Sequence, residues 1–336
     1  MALLEVGGLT VELPTAAGVI RPVNDVSLHV EAGEALGLVG ESGSGKTMLA
    51  LALMGLLPEG ARARGDARLA SRNGAHSRTV RNLLSLTERE WRDIRGREIA
   101  MVFQEPMTSL NPVMRVGVQI EEAVRVHERG LTRGEATRRA IAAFERAAVP
   151  EPEKRAQQYP HQLSGGLRQR VMIAMALAGG SSEQGKGPSA GPRLLIADEP
   201  TTALDVTVQK QILDLLDRLR RELRLGLIFI THDLGVVAQV ADRLAVMYAG
   251  RIVEEGPARD VLARPRHPYT EGLLAASPRL EKGALQPIPG NVPRLDDLPP
   301  GCAFEPRCPL RRAECSECVP EMRPAGPGHR ARCILV

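Results

Sequence analysis

The chain has 336 residues, with 43% hydrophobic and 25% charged side chains and a formal net charge of +4. This length exceeds one small core, so we expect two domains, or one large domain with an appended segment. The 44 basic groups are nearly balanced by 40 acidic groups, which argues against a general nucleic-acid-binding protein. With one Trp, three Tyr and four Phe, the chain also lacks the aromatic platforms on which single-stranded nucleic acids stack.

No segment predicts secretion or membrane crossing. The first residues, MALLEVGGLTVEL, lack the basic region and apolar core of a signal peptide. The longest apolar stretches, residues 48–57 and 171–178, are about half as long as the roughly 20 residues that a spanning helix needs. We therefore expect the chain to stay in the cytosol and none of it to cross a membrane.

The beginning of the chain predicts an α/β unit. Residues 3–40 contain short strand-like runs, and the last run ends in a glycine-rich turn before the apolar helical stretch MLALALMGLL. Further on, residues 87–90 and 132–135 each fit Thr-x-x-Glu, the pattern of a capping box that opens a helix. We expect the sequence between about 105 and 178 to be mainly helical.

Two later runs, at residues 194–198 and 225–233, predict buried strands. Between them lies a set of apolar residues spaced as on one helix face: Ile212, Leu215, Leu216, Leu219 and Leu223. This order predicts a parallel sheet interrupted by a helical insertion. Two polar segments, residues 65–81 and 179–192, are predicted to be solvated insertions without chemistry of their own. The proline-rich residues 283–301 are interpreted as a linker or extended arm.

A phosphate-binding motif follows the first buried strand. It matches G-x-x-x-x-G-K-[ST] and lies between a strand and a helix, the context in which this pattern is meaningful. The glycines allow several backbone N–H groups to converge on β- and γ-phosphate oxygens of ATP. Lys46 would place a charge between those phosphates, and the Thr47 hydroxyl would ligate Mg²⁺. The motif consists of Gly40, Glu41, Ser42, Gly43, Ser44, Gly45, Lys46 and Thr47.

Two carboxylates stand at the end of the strand at residues 194–198. Asp198 lies where a carboxylate at the edge of a parallel sheet can hold the Mg²⁺ shell, usually through water. Glu199 follows it and could orient the water that attacks the γ-phosphate, or accept its proton. His232, at the end of the next strand, is a polar donor at the same sheet edge. We interpret Glu199 and His232 as catalytic.

The segment HQLSGGLRQR, at residues 161–170, resembles the signature sequence of ATP-binding-cassette (ABC) ATPases. Gln104 in VFQEP resembles the Q-loop of that family, Asp205 in ALD its D-loop and His232 its switch histidine. Six motifs occur in the family's order across residues 3–255. The resemblance implies an ABC cassette of the P-loop NTPase class, with a RecA-like parallel sheet core, an N-terminal antiparallel β subdomain and a helical subdomain at about 105–178.

The resemblance also implies that two cassettes pack head to tail. Ser164, Gly165 and Gly166 would contact the γ-phosphate of ATP held by the partner's P-loop, since a helix N-terminus with small residues offers N–H groups to an anion. Gln104 would contact Mg²⁺ and the attacking water. ATP would hold the dimer together and hydrolysis would release it. The chain contains one cassette, so it needs a partner cassette.

Within the ABC ATPases, this sequence resembles those of the ATPase subunits of oligopeptide and dipeptide importers, a group that includes nickel and glutathione systems. The segments that carry this resemblance include REIAMVFQEPMTSLNPVMRVGVQI, LIADEPTTALDVTVQ and RHPYTEGLLAASP. It implies a nucleotide-binding domain over residues 1–255 and that group's C-terminal domain over 256–336. Leu13 is a departure, because most cassettes carry at that position an aromatic residue that stacks on adenine.

The implied function is ATP hydrolysis that drives peptide import, at the cytoplasmic face of the cell membrane. The partners would be a second ATPase subunit, two permease subunits and, indirectly, an extracytoplasmic solute-binding protein. One alternative is import of nickel or another small solute. Another is a soluble ABC ATPase acting on ribosomes or DNA, but such relatives usually carry two cassettes or long coiled-coil insertions, which this sequence lacks.

All the cysteines lie near the C-terminus, at positions 302, 308, 315, 318 and 333. Disulfides are not expected in a reducing cytosol. Four thiolates suit a tetrahedral Zn²⁺ or an iron–sulfur cluster, and reduced structural thiols are the alternative. The resemblance favours a [4Fe-4S] cluster on Cys302, Cys308, Cys315 and Cys333, the positions that the related C-terminal segments use, and leaves Cys318 as an addition.

Overall fold

The computed structural model describes residues 2–73, 77–128, 130–179, 191–277 and 287–336. The strands are β1 (Leu4–Thr15), β2 (Gly18–Val30), β3 (Ala35–Val39), β4 (Arg62–Asn73), β5 (Ser77–Asn82), β6 (Ile99–Val102), β7 (Leu194–Asp198), β8 (Gly226–Thr231), β9 (Arg243–Tyr248), β10 (Arg251–Pro257), β11 (Arg323–Gly326) and β12 (His329–Ala331). The helices are α1 (Lys46–Leu53), α2 (Glu88–Ile94), α3 (Pro106–Ser109), α4 (Val116–His127), α5 (Arg133–Arg146), α6 (Pro152–Ala156), α7 (Gly165–Ala178), α8 (Val206–Leu223), α9 (Leu234–Val240), α10 (Ala258–Ala263) and α11 (Pro268–Ala276).

These elements form two compact units. The terminal unit contains the chain up to Val30 together with Glu34–Ser85 and Ile228–Val336. The central unit contains Glu31–Gly33 and Leu86–Leu227. The predicted fold class is confirmed: the protein is mixed α/β, with an antiparallel N-terminal sheet and parallel core strands.

The first sheet of the terminal unit is antiparallel, with strand order β2-β1-β4-β5. β1 is paired on both sides, since Leu4 lies opposite Val30 of β2 and opposite Leu69 of β4. Buried and exposed side chains alternate along the first residues of β1, the pattern of a strand with one face on a core.

The prediction of a solvated insertion at residues 65–81 is wrong for the beginning of that segment. Ala67 and Leu69 lie in β4 and are at most 1% exposed, while Arg68 between them is exposed. The segment is polar on average although one of its faces is apolar, and a period of two is the signal that reveals this.

Other predicted loops fall partly outside the described residues. Residues 74–76 of the first predicted insertion lie outside them, and so do residues 180–190 of the second. Residues 287–301, the described part of the predicted proline-rich arm, contain neither helix nor strand, as an extended arm would.

The second sheet of the terminal unit has the order β11-β12-β10-β9-β3-β8. β3 is buried at every position and runs parallel to β9, with Gly37 opposite Leu244, which confirms a parallel core. The pairs β9–β10, β10–β12 and β11–β12 are antiparallel. The sequence did not predict these antiparallel additions, because the last strands are only a few residues long.

A buried carboxylate joins the end of the chain to this sheet. Glu254 of β10 is 0% exposed; it accepts the N–H groups of Arg266 and His267 at 2.7 and 2.9 Å, and its Oε1 lies 2.7 Å from Nε2 of His329 on β12. The His267 Nδ1 atom accepts the Tyr269 N–H at 3.1 Å, and burial lowers the pKa of His267 to about 3. This ring is therefore a neutral acceptor at neutral pH, within a network in which the side chains of Glu254, His267, Tyr269 and His329 are buried.

The central unit confirms the predicted helical stretch, because α3 to α7 cover most of the sequence from 106 to 178. Both predicted capping boxes are present. The Thr87 and Thr132 side chains cap α2 and α5, and the N–H groups of these threonines donate to Glu90 and Glu135 at 2.8 Å. Among the described residues, no helix combines the length and the apolar character that a membrane span requires.

The strands of the central unit and their helix also follow the sequence pattern. β6 and β7 are parallel, with Ile99 opposite Leu194. The predicted apolar face is the buried side of α8, where Ile212, Leu215, Leu216 and Leu219 are at most 4% exposed. Gly117 of α4 is a point of close packing: a Cβ there would lie 2.7 Å from the Ala156 carbonyl oxygen and 2.8 Å from the Ala156 Cβ.

This contact makes the packing of α4 against α6 sensitive to one methyl group. We expect Gly117→Ala to lower the free energy of unfolding by about 1–3 kcal/mol, because the two helices must move apart to admit the added carbon. Gly134→Ala is the matched control: Gly134 lies in α5, and the nearest atom to an added Cβ is 3.8 Å away. Its expected effect is a gain of up to about 1 kcal/mol from helix propensity. Urea unfolding of the full chain measures both, and equal stabilities would contradict the close packing.

Candidate active site

The P-loop follows β3 directly and leads into α1, within the terminal unit. Its turn depends on two glycines with positive φ, Gly40 (φ +155°) and Gly45 (φ +106°). A Cβ at Gly40 would lie 2.1 Å from the Met247 carbonyl oxygen, and one at Gly45 would lie 1.9 Å from that of Pro22. Both positions therefore require glycine for space as well as for conformation.

Lys46 reaches back across the loop. Its ammonium group donates to the carbonyl oxygens of Gly40 and Glu41, at 2.7 and 2.9 Å, and to the Ser44 Oγ at 3.2 Å. The side chain is 6% exposed, whereas Ser42, Gly43 and Thr47 are exposed. The loop thus combines the fixed Lys46 ammonium with exposed backbone at Ser42 and Gly43 and the exposed Thr47 hydroxyl. This arrangement is suited to binding an anionic group such as phosphate.

Two side chains from the C-terminal part of the chain, Tyr269 and Arg307, bind the P-loop residue Glu41. The Glu41 N–H donates to the Tyr269 Oη at 2.8 Å, and the Arg307 guanidinium donates to the two Glu41 carboxylate oxygens at 2.7 and 3.0 Å. Burial raises the pKa of Tyr269, and the hydrogen bond to Glu41 raises the pKa of Arg307. The phenol therefore stays neutral and the guanidinium charged. Sequence analysis missed both residues; an arginine between two of the clustered cysteines was the available signal for Arg307.

The predicted catalytic carboxylate lies in the central unit, one residue after the end of β7. The Gln104 Nε2 donates to the Glu199 Oε2 at 3.1 Å, and the Thr202 hydroxyl donates to the same oxygen at 2.9 Å. Glu199 has a φ of +46°, a conformation that costs free energy in a non-glycine residue and recurs at functional sites. Asp198, before it, is 1% exposed. The structure thus brings together two of the predicted residues, Gln104 and Glu199, and adds Thr202.

The signature segment opens α7. The Ser164 Oγ accepts the Leu167 N–H at 3.4 Å, and the helix begins at Gly165. A Cβ at Gly166 would lie 2.6 Å from a Val208 methyl group of α8. The Val208 N–H in turn donates to Asp205, the cap of α8, at 2.9 Å. The signature and the ALD segment therefore meet at the first turns of two long helices.

Two predicted residues lie apart from these groups in the chain. Leu13 is partly exposed on β1, opposite Ile20. His232 is exposed and follows β8, just before the Asp233 side chain that caps α9. Both belong to the terminal unit, as the P-loop does, whereas the carboxylate and signature groups belong to the central unit.

Four cysteines line one small cavity in the terminal unit: Cys302, Cys308, Cys315 and Cys333. Apolar side chains complete its lining, among them Phe304, and Cys318 is exposed and outside it. Burial raises the pKa of Cys302 to about 11 and raises the pKa values of Cys308 and Cys333 as well. In the described part of the chain, no group of three or more His, Cys, Asp and Glu side chains is arranged to hold a metal ion.

The sequence is similar to those of known protein families. Residues 23–202 match the family model of the ABC transporter, and residues 253–315 match that of the oligopeptide/dipeptide transporter C-terminal region. The oligopeptide transport ATP-binding proteins OppD of Salmonella typhimurium and Escherichia coli are 49% and 48% identical to this chain, over 99% of it and 93% of their own length.

A solved structure is also similar. It is a dimeric ATP-binding cassette in a post-hydrolysis state, bound to ADP and Pi, with a TM-score of 0.62 and 26% identity. The match covers 76% of this chain and 99% of that one. The family model covers more than half of this chain and the curated relatives nearly all of it, so the chain belongs to the ABC transporter family and carries its ATPase cassette.

Proposed function

We propose that this chain binds and hydrolyses ATP as the energy-coupling subunit of an importer of di- and oligopeptides. One observation carries the hydrolytic part: Glu199, one residue beyond a buried core strand, has its carboxylate oriented by Gln104 and Thr202. The peptide cargo is supported by the likeness to two oligopeptide transport ATP-binding proteins and by the match to the oligopeptide/dipeptide transporter C-terminal region.

In this proposal the P-loop binds the phosphates of ATP. Backbone N–H groups between Ser42 and Thr47 and the Lys46 ammonium bind the β- and γ-phosphate oxygens, and Leu13 gives adenine an apolar contact. Thr47, Asp198 and Gln104 would hold Mg²⁺, since a hydroxyl, a carboxylate and an amide oxygen are the hard donors that this ion takes. The bound ion would neutralise part of the phosphate charge.

Glu199 then acts on the attacking water. Two donors on one carboxylate oxygen limit its rotamers, so the group is oriented before ATP arrives, and it can accept a proton from a water in line with the γ-phosphate. His232 is proposed as a second polar contact to the γ-phosphate.

The signature residues act on a second cassette. Ser164, Gly165 and Gly166 stand at the N-terminus of a 14-residue helix, whose N–H groups and dipole favour an anion. They are proposed to contact the γ-phosphate held by a partner's P-loop, with Asp205 at the same interface. ATP then favours the closed dimer, and loss of the γ-phosphate favours the open one.

The proposed location is the cytoplasmic face of the cell membrane, with two permease subunits as the membrane partners and a solute-binding protein acting on the other side. We also propose the division into a nucleotide-binding domain, residues 1–255 with a helical subdomain at about 105–178, and a C-terminal domain, residues 256–336. The two family models, which match residues 23–202 and 253–315, support this division.

A [4Fe-4S] cluster is the proposed occupant of the cysteine cavity. Four thiols line it, which is the usual donor set of such clusters. Reduced thiols packed against apolar side chains are the alternative.

The role of Glu199 is tested by Glu199→Gln, which keeps the shape and an acceptor oxygen but removes the base. We expect ATP hydrolysis to fall by about 100-fold or more, with ATP binding retained and a dimer that persists in ATP on gel filtration. Lys46→Ala is the control, because it should abolish ATP binding and hence the dimer. Hydrolysis by Glu199→Gln at the wild-type rate would contradict the assignment.

The cargo is tested in proteoliposomes that contain the chain, a partner cassette and two permease subunits, with a solute-binding protein in the external medium. We expect ATP-dependent uptake of labelled tri- to pentapeptides, and no uptake with Glu199→Gln. Uptake of Ni²⁺ in place of peptides would favour the nickel alternative. Hydrolysis stimulated by ribosomes or DNA, and unaffected by the permeases, would favour the soluble ATPase.

The cluster is tested by iron and sulfide analysis of anaerobically purified protein. We expect iron and sulfide with visible absorbance in the wild type and in Cys318→Ser, and their loss in Cys308→Ser. Cys318 is the matched control, because it lies outside the cavity. A colourless wild-type protein that contains zinc but neither iron nor sulfide would favour Zn²⁺, and one that contains no metal would leave the reduced-thiol alternative.

A further inference from the structure

The P-loop residue Glu41 is bonded through each of its polar groups. Its N–H donates to the Tyr269 Oη, its carbonyl oxygen accepts from the Lys46 ammonium, and its carboxylate accepts two hydrogen bonds from Arg307. The carbonyl oxygen also accepts the Ser44 N–H at 3.2 Å. The conformation of the loop and the position of its lysine therefore depend on where Glu41 is held.

Arg307 holds Glu41 from a fixed position. It ends a one-turn 3-10 helix, Glu305–Arg307, and its side chain is 4% exposed. Its Nε donates to the Pro289 carbonyl oxygen at 2.9 Å, and one terminal nitrogen donates to the Tyr248 Oη at 3.3 Å. A guanidinium bound at several points has little freedom to follow the loop. Its two bonds to one carboxylate fix direction as well as distance.

An aromatic cluster supports this guanidinium. Phe304 packs on Tyr248 and Tyr269, with ring centroids 5.4 and 5.3 Å apart, and the Arg307 guanidinium carbon lies 5.9 Å from the Phe304 ring centroid. Phe304 also lines the cysteine cavity. The segment that carries the cysteines thus supplies, through Arg307, a contact to the P-loop in addition to those that the loop's own glycines and Lys46 make.

We propose that Arg307 is a positioning residue for ATP binding: by holding the Glu41 carboxylate, it sets the P-loop, and with it Lys46, in the conformation that receives the phosphates. This inference rests on the proposed ATP site and extends it to the C-terminal segment. Without Arg307, the loop would retain its sequence but would sample further conformations, and ATP would have to select the competent one.

The test compares two ion pairs of the C-terminal segment. Arg307→Met removes the guanidinium and keeps the apolar stem. Arg330→Met is the matched control, because the Arg330 Nε donates to Glu255 of β10 at 2.7 Å and that pair makes no contact with Glu41. Titration with a fluorescent ATP analogue, steady-state ATPase assays and urea unfolding are carried out on each full chain.

For Arg307→Met we expect the ATP dissociation constant and KM to rise about tenfold, because a charge-assisted pair of hydrogen bonds is lost. We expect little change in kcat, because the lost contact acts equally on the bound substrate and the transition state. Arg330→Met should bind ATP as the wild type does. Arg307→Lys, which keeps the charge without the fork, should give an intermediate affinity, and it takes the place of Arg307→Met if that variant does not fold.

A double-mutant cycle with Glu41→Gln separates this role from general destabilisation. If Arg307 acts through Glu41, the double variant binds ATP no more weakly than the weaker single variant. Wild-type affinity in folded Arg307→Met, or equal losses in Arg330→Met, would overturn the inference while leaving the ATPase proposal standing. Failure of the wild-type protein to bind ATP would instead overturn the proposed function.

Discussion

The organisation of the terminal unit depends on the P-loop turn, where Gly40 and Gly45 have no room for a side chain. Gly40 and Gly45 lie against the carbonyl oxygens of Met247 and Pro22, so the loop after β3 is pressed against its own unit and its remaining groups face outward. A loop with this little space adopts few shapes. Its ends are anchored by β3 and α1, and the Gly250 N–H donates to the Ser44 carbonyl oxygen at 2.9 Å. The bonds to Glu41 from Tyr269 and Arg307 add a further anchor from a part of the chain that is remote in sequence.

In the central unit, the main constraint is the orientation of one carboxylate, that of Glu199. Glu199 has a backbone conformation that an unconstrained glutamate avoids, and the cost is offset by two hydrogen bonds to one oxygen. The close contact between Gly166 and Val208 has a related effect, because it fixes the first turns of α7 and α8 against each other. The proposed phosphate site thus consists mainly of backbone in one unit, and the proposed proton acceptor is a side chain in the other.

Local patterns predicted much of this protein. The P-loop, the capping boxes at Thr87 and Thr132, the helical stretch and the buried parallel strands follow from residues near each other in sequence, where propensity and periodicity act. The prediction for the first part of β4 was wrong, because buried Ala67 and Leu69 alternate with exposed Arg68 and the mean polarity of the segment conceals this pattern. Thr202, Tyr269 and Arg307 could not be assigned, since their significance comes from partners that only the folded chain places beside them.

The order of synthesis gives the Glu41–Arg307 contact a further meaning. The two residues are 266 positions apart, and a ribosome that adds about 5–20 residues per second takes roughly 13 to 53 s to cover that interval. Throughout this time the nascent P-loop carries a carboxylate whose cationic partner has not been made. The Glu41–Arg307 contact can therefore form only after Arg307 has been synthesised, and a product that terminates before residue 307 lacks it.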